Sequence, residues 1–190
     1  MVQQDKLVVV DIEATCWKNN PPLGEQNEII EIGVCLLNLQ TLERSDKRSI
    51  LVKPSRSKVS KFCTELTSLT QEQVDTGITY AEACEILQNE FDAPNRLWGS
   101  WGDYDRKMFV QQCDSFFVPY PFSDKHVNLK ALFTEKLALK KQVGMAGAIK
   151  MTGLPLEGTH HRGDDDAWNI ARLTAYVLEK QSADVLLPYF

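Results

Sequence analysis

The chain has 190 residues and a formal net charge of −5 at neutral pH. This length suits one compact domain with its own core, so we expect a single domain over residues 1–190. The negative charge argues against a protein that coats nucleic acid through a broadly basic surface. It does not exclude local binding of nucleic acid, because bound cations can offset a cluster of carboxylates.

The five cysteines lie at positions 16, 35, 63, 84 and 113, and no two of them form a CxxC pair. Their odd number and wide spacing indicate reduced thiols. The apolar run near the N-terminus is too short for a signal peptide and is soon followed by an acidic residue. No stretch reaches the length of a membrane span. These features predict a soluble, cytoplasmic protein that does not bind membranes.

Residues 7–16, LVVVDIEATC, predict a central strand that ends in two acids. The run up to Ile12 is apolar and β-branched, as in a strand buried on both faces. Asp11 and Glu13 interrupt it, and residues two apart project from the same face, roughly 6 to 7 Å apart. Two like charges there are costly unless a cation, such as an oxygen-bound divalent metal, lies between them. The alternative is that both acids simply begin a solvated loop.

The next segments predict an antiparallel meander and then helices. Residues 17–26 have the composition of a loop. Strands over 28–39 and 48–53 are joined by a turn near 41–46, and residues 53–61 carry four basic residues without an acid, which is typical of a solvated linker. Short helices follow at 62–70 and 71–74, and a longer one at 79–91 begins at a capping box formed by Thr79 and Glu82.

A third acid follows a fourth strand. Residues 96–100 predict that strand, and 105–116 predict the helix after it. Asp105 shares the helix face of Met108, Phe109 and Gln112, so it points inward, whereas Asp103 precedes the pattern and is expected to cap the helix. A short strand at 127–129 and helices at 130–139 and 143–151 complete this part of the chain.

The last informative segment, HHRGDDDA, begins at His160 and leads into a long amphipathic helix. Asp166 falls on the apolar stripe of that helix and points toward the core. Asp164 and Asp165 are explained by favourable charge at a helix N-terminus. His161 lies one turn before the helix. A lone histidine is usually structural or solvated, but this one is placed for proton transfer beside an inward acid.

Three motifs occur in an order typical of one nuclease family: DIE at 11–13, YD at 104–105 and HRGDDDA at 161–167. Together they resemble the DEDDh family of 3′-to-5′ exonucleases, which is named for four acids and a histidine. DIEATC, EIIEIGV and DDDAWNIARL further resemble the enhanced-RNAi and three-prime histone mRNA exonuclease branch, which works chiefly on RNA. Ser68 departs from that branch, where glycine is expected. The spacing around the third acid also departs and leaves Asp103 as an alternative to Asp105.

The resemblance implies that Asp11, Glu13, Asp105 and Asp166 hold two divalent ions and that His161 is the general base. Glu13 is counted among the catalytic residues as well as the ligands. Carboxylate oxygens suit Mg²⁺ or Mn²⁺. Two such ions can activate a water on one side of a phosphodiester and stabilise the departing oxygen on the other. The implied product is a nucleoside 5′-monophosphate.

By the same resemblance, the terminal nucleotide is held by backbone near Ala14 and Thr15 and by apolar side chains. Phe62, Leu66 and Trp101 are the candidates for the apolar contacts. Aromatic side chains stack on bases, but they fill cores more often. Both roles therefore stay open for these three residues.

The implied fold is α/β and ribonuclease-H-like, with a five-stranded mixed sheet flanked by helices. The implied function is metal-dependent 3′-to-5′ hydrolysis of single-stranded RNA or short overhangs. The partner is then single-stranded nucleic acid, with RNA favoured over DNA. One alternative is a DNA-trimming or proofreading exonuclease. A less favoured one is a non-catalytic nucleic-acid-binding module, which would be expected to have lost at least one of the five motif residues.

Overall fold

The computed structural model describes residues 3–189, apart from the side chain of Ala183. Within them, one sheet is formed by β1 (Gln3–Ala14), β2 (Ile29–Asn38), β3 (Arg44–Leu51), β4 (Arg96–Ser100) and β5 (His126–Asn128). Their order across the sheet is β3-β2-β1-β4-β5. The β1–β2 and β2–β3 pairs are antiparallel, whereas β4 pairs in parallel with β1 and β5.

The described α-helices are α1 (Lys61–Thr67), α2 (Gln71–Asp75), α3 (Tyr80–Asn89), α4 (Tyr104–Phe116), α5 (Leu129–Lys136), α6 (Met145–Thr152) and α7 (Gly163–Gln181). Thr79 caps α3 together with Glu82, which confirms the predicted capping box. Thr70 caps α2 in the same way. No helix between residues 3 and 189 combines the length and apolar character needed to cross a bilayer.

Strand β1 is buried on both faces because its side chains alternate between two apolar layers. Leu7 and Val9 pack in the layer that contains residues of α5, α6 and α7. Val8 and Val10 pack in the opposite layer, with residues of α3 and α4. Helices therefore cover both faces of the sheet, and the predicted architecture is confirmed.

The third strand begins earlier than the sequence predicted, at Arg44, and ends at Leu51. Residues 45–49 are all exposed, and β3 lies at the outer edge of the sheet. An edge strand is held by backbone hydrogen bonds to a single neighbour. Because the side chains of this segment are polar and exposed, the sequence has no alternation of apolar residues that would indicate a strand. The prediction of a turn over residues 41–46 was therefore wrong in its second half.

The acidic end of β1 lies beside the first residue of α7. Across the β1–β2 ladder, Asp11 pairs with Gly33, and Glu13 pairs with Glu31. A Cβ atom on Gly33 would lie 1.8 Å from the carbonyl carbon of Gly163, so only a residue without Cβ permits this approach of the two backbones. This contact positions the start of α7 against the strands that carry the first two acids.

Candidate active site

Three of the four predicted acids converge on one small volume. Oxygen atoms of Asp11 and Glu13, from β1, and of Asp166, from the first turn of α7, all lie within 4.8 Å of one another. Glu13 and Asp166 are buried, and Asp11 is partly buried. The two-residue alternation of the strand and the inward stripe of the helix thus direct these side chains to the same point.

The remaining acid, Asp105, lies in the first turn of α4 and is 5% exposed. Its Oδ1 accepts a hydrogen bond from the backbone N–H of Ile12, at 3.0 Å, so its carboxylate lies against β1 between the two strand acids. Asp103 instead turns away and accepts from the Nδ2 of Asn128, at 3.1 Å. Asp103 does occupy the N-cap position of α4, but its side chain makes no capping hydrogen bond. Of the two candidates, Asp105 is the one beside Asp11.

Ionising all four carboxylates together is unfavourable. Burial raises the pKa of Asp11 well above its usual range, and the charges of Asp105 and Asp166 raise it further. Burial, followed by the charge of Asp166, raises the pKa of Glu13 to about 8. Burial raises the pKa of Asp105 to about 6 and also raises that of Asp166. Cations relieve such repulsion, so this set of hard oxygen donors fits divalent metal ions.

Two histidines stand on the loop before α7. The rings of His160 and His161 stack with their centroids 3.9 Å apart, and each offers a ring nitrogen near Asp166. His160 Nδ1 lies 2.9 Å from Oδ2 of Asp166, and the backbone N–H of His161 donates to the same oxygen, also at 2.9 Å. Burial and the neighbouring His160 lower the pKa of His161. Its ring is therefore held in the neutral form, which can accept a proton.

The sequence interpretation missed an ion pair beside these acids. Glu31 is fully buried, and Arg162 reaches its two oxygens with Nη2 at 2.9 Å and Nε at 3.3 Å. The N–H of Gly163 donates to the same carboxylate, at 2.8 Å. The pair therefore ties β2 to the residues that follow His161. The available signal was a lone acid within the otherwise apolar run of residues 29–37.

Ala14 and Thr15, the predicted backbone contacts to substrate, lie in a segment that is hydrogen-bonded within the fold. The N–H of Thr15 donates to the carbonyl of Glu28, at 2.8 Å, and its Oγ1 donates to the carbonyl of Gln26, at 3.1 Å. Its own carbonyl accepts from the side chain of Asn27. Ala14 is 7% exposed. The polar groups of Thr15 are thus used within the fold, and substrate contact by Ala14 and Thr15 stays a prediction.

The three apolar candidates fall into two environments. Phe62 and Leu66, four residues apart on α1, are 38% and 41% exposed, and a hydrogen bond joins the start of α1 to the segment after β1. Trp101 packs on Phe133 with ring centroids 5.5 Å apart, and its Nε1 donates to the carbonyl of Val143. The α1 pair is therefore open to a ligand, whereas Trp101 is anchored to the core.

Known proteins of similar sequence are nucleases. A family model described as Exonuclease matches residues 8–174. The 3′-5′ exoribonuclease 1 of Homo sapiens is 31% identical in an alignment 188 positions long, which covers 92% of this chain and 53% of that protein. The 3′-5′ exonuclease Snipper of Drosophila melanogaster is 30% identical, with coverage of 88% and 67%. The chain thus spans about half the length of the mammalian 3′-5′ exoribonuclease 1 proteins it matches.

Solved structures give the same result. The nuclease domain of 3′hExo, described as a DEDDh family member bound to rAMP, is 30% identical, with a TM-score of 0.85 and coverage of 94% of both chains. A 3′-exonuclease described in recognition of the histone mRNA stem-loop is 28% identical, with a TM-score of 0.84 and coverage of 96% and 66%. Exonucleases of this family depend on divalent metal ions, which agrees with the carboxylate donors described above. The chain therefore belongs to the exonuclease family and, within it, to the DEDDh group.

Proposed function

We propose that this chain is a 3′-to-5′ exoribonuclease that hydrolyses single-stranded RNA, or short overhangs, one nucleotide at a time and releases nucleoside 5′-monophosphates. The observation that carries the proposal is the convergence of Asp11, Glu13 and Asp166 within 4.8 Å, with Asp105 against the same strand. RNA is favoured over DNA because the human relative is named an exoribonuclease. We further propose that residues 1–190 act as one domain.

The four acids would hold two Mg²⁺ or Mn²⁺ ions, because they supply only hard oxygen donors and repel one another without a cation. When bound, such ions would lower the pKa of a coordinated water and stabilise negative charge on the leaving 3′ oxygen. Glu13 belongs both to this ligand set and to the catalytic residues, since one of its oxygens lies within 4.8 Å of oxygens of Asp11 and Asp166.

His161 is the general base in this proposal. Its lowered pKa leaves the ring neutral and able to take a proton from the attacking water. His160 positions Asp166 through its Nδ1 contact at 2.9 Å. The ion pair of Arg162 with the buried Glu31 holds the loop that carries both histidines against β2.

The terminal nucleotide would lie against α1. Phe62 and Leu66 form an exposed apolar surface there, and the face of a base can stack on it. Ala14, the last residue of β1, and Thr15 directly after it would border the same position. Trp101 would act indirectly, through its packing on Phe133.

The test uses single-stranded RNA, duplex RNA and DNA of one sequence, each with a label at the 5′ end. With Mg²⁺ or Mn²⁺ we expect a descending ladder from single-stranded RNA, and with a chelator no product. Asp11→Asn is the matched inactive control. Internal cuts in circular RNA, or early release of the labelled 5′ nucleotide, would contradict the proposal. Faster loss of DNA than of RNA would favour a DNA-trimming enzyme.

A further inference from the structure

Asp165 makes contacts that a favourable charge at a helix N-terminus does not require. Its Oδ2 accepts the backbone N–H of Thr159 at 2.7 Å, and Lys47 of β3 pairs with its Oδ1. A Cβ atom on Gly158 would lie 2.1 Å from the carboxyl carbon of Asp165, so this carboxylate packs directly on the loop backbone. Asp165 therefore joins the loop before α7 to the edge strand β3.

The loop residue bonded to Asp165 begins the turn that carries His161. The N–H of Arg162 donates to the carbonyl of Thr159 at 3.3 Å, which closes a four-residue turn. His161 is the third residue of this turn and has a φ of 65°. Such a left-handed conformation is unfavourable for a residue with a Cβ and persists where neighbouring contacts fix it. Asp166 holds the N–H of His161, and Asp165 holds the first residue of the turn.

A bulge in β3 directs its polar side chains toward this loop. Arg44 and Ser49 are five residues apart, so regular alternation would place them on opposite faces of the sheet. The ladder between β2 and β3 shifts register between these two residues, which returns both to the face that α7 covers. Three side chains on this face each contact an acid in or beside residues 157–163: Arg44 contacts Glu157, Lys47 contacts Asp165 and Ser49 contacts Glu31. The exposed half of β3 therefore supports the loop that contains His161.

We infer that Asp165, supported by Lys47, is a positioning residue for His161. Its carboxylate fixes Thr159 at the start of the turn, and the turn fixes the left-handed backbone that places the His161 ring beside Asp166. The inference rests on the proposed function, in which His161 is the general base. Loss of the Asp165 carboxylate slows proton transfer to that ring and leaves the metal ligands and the apolar surface of α1 in place.

Asp164 provides a matched control. It is also an acid in the first turn of α7, and its carboxylate contacts Lys47 at 3.3 Å. Between residues 3 and 189, the N–H groups of the loop donate to acceptors other than Asp164. Asp164→Ala therefore removes the same atoms and the same charge as Asp165→Ala and keeps the bond to Thr159. Asp165→Asn is the conservative variant, because its amide oxygen still accepts that N–H.

Turnover is measured with 5′-labelled single-stranded RNA and Mn²⁺. We expect Asp165→Ala to lower kcat by roughly ten- to a hundredfold, the scale of a misplacement of about 1 Å, with KM unchanged. Asp165→Asn should recover most of this loss. Asp164→Ala and Lys47→Met should each change kcat by no more than about fivefold, because partly exposed ion pairs contribute little. Equal losses of kcat in Asp164→Ala and Asp165→Ala would overturn the inference.

The same substitution in a His161→Ala background separates positioning from a general structural role. A residue that acts only through His161 costs nothing further once that ring is absent. Equal losses in both backgrounds would overturn the inference. Thermal melts should show the parental gain from Mn²⁺ in Asp165→Ala, and a missing gain would assign Asp165 to the metal site instead. Lys47→Met is the second variant if Asp165→Ala does not fold, and its smaller loss must also vanish in the His161→Ala background.

NMR spectra of the histidine rings test the inference without activity. The chain has three histidines. The rings of His160 and His161, which stack with centroids 3.9 Å apart, should shift in Asp165→Ala and not in Asp164→Ala, and the ring of His126 in β5 should shift in neither. Unshifted His161 signals would overturn the inference. A parent that cleaves no RNA and shows these shifts would reject the proposed function and keep the contact of Asp165 with the turn. Cleavage by the parent with parental kcat in Asp165→Ala would reject the inference alone.

Discussion

Substituting alanine for Gly33 should move Asp166, on α7, away from Asp11 and Glu13, on β1. Its Cβ would lie 1.8 and 1.9 Å from the carbonyl carbon and oxygen of Gly163 and 2.2 Å from the backbone nitrogen of Asp164. All three are backbone atoms, so relief requires α7 to move by roughly 1.5 Å to restore ordinary contact distances. That helix carries Asp166, whereas Gly33 is the ladder partner of Asp11.

The expected losses follow from this geometry. Extra atoms in a packed contact cost about 1–3 kcal/mol, and a misplacement of about 1 Å can lower a rate about a hundredfold. We therefore expect Gly33→Ala to lose about 3 kcal/mol of unfolding free energy and at least about a hundredfold in turnover. The control is Gly147→Ala in α6, where the new Cβ meets only Val143 Cβ, at 3.7 Å. It should be about 0.5–1 kcal/mol more stable, because alanine favours a helix.

Urea unfolding in chelator measures the free energies, and the ladder assay with 5′-labelled RNA measures turnover. Parental stability and turnover in Gly33→Ala would refute the reasoning, because α7 would then not contact β2 as closely as described. A comparable loss in Gly147→Ala would show that the assay reports any glycine replacement rather than this contact.

Further predictions concern the base, the metal site and one loop residue. His161→Ala should slow turnover by roughly two to four orders of magnitude, and His160→Ala should slow it less; equal rates across pH would remove His161 from the mechanism. Because the folded pKa of Glu13 is about 8 against an ordinary 4.5, the folded chain keeps a proton that the unfolded chain releases. Metal-free stability should therefore fall as pH rises through that window, and thermal melts with Mn²⁺ should fall less. Asp11→Asn should be inactive and, in chelator, at least as stable as the parent. Mn²⁺ at a hundredfold excess over Kd should stabilise the parent by about 2.7 kcal/mol and Asp11→Asn by less. A variant that is less stable in chelator and gains as much from Mn²⁺ as the parent would contradict the metal site. Ser68→Gly should stabilise the chain by about 0.5–1 kcal/mol in thermal melts, because Ser68 has a φ of 61°, in the left-handed region that favours glycine.

The acidic centre could be predicted because its acids either interrupt an apolar sequence pattern or fall on the apolar side of one. Asp11 and Glu13 interrupt a buried strand, and Asp166 falls on the apolar stripe of a helix. Both periodicities give the direction of a side chain without any knowledge of its neighbours. The family resemblance then implied that these acids bind metal ions together, and the structure brings their side chains to one point.

The parts that escaped prediction depend on contacts between distant segments. The polar half of β3 is a strand because β2 pairs with it, and the approach of Gly33 to Gly163 joins residues from opposite ends of the chain. Ser68 is instructive in a different way. The resemblance anticipated glycine there without a reason, and the left-handed backbone at the end of α1 supplies it.

Arg162 shows why the site needs cations from outside the chain. From the sequence alone, an arginine directly after His161 would be a natural counter-ion for the catalytic acids. In the structure its guanidinium is committed to Glu31, a buried carboxylate outside the set of four acids. Its lowering of the Glu13 pKa is the smallest influence on that group, after burial and three neighbouring acids that all raise it. Arg162 therefore leaves the four acids of the site with a repulsion that divalent ions can relieve, and the charge of Glu31 adds to that repulsion at Glu13.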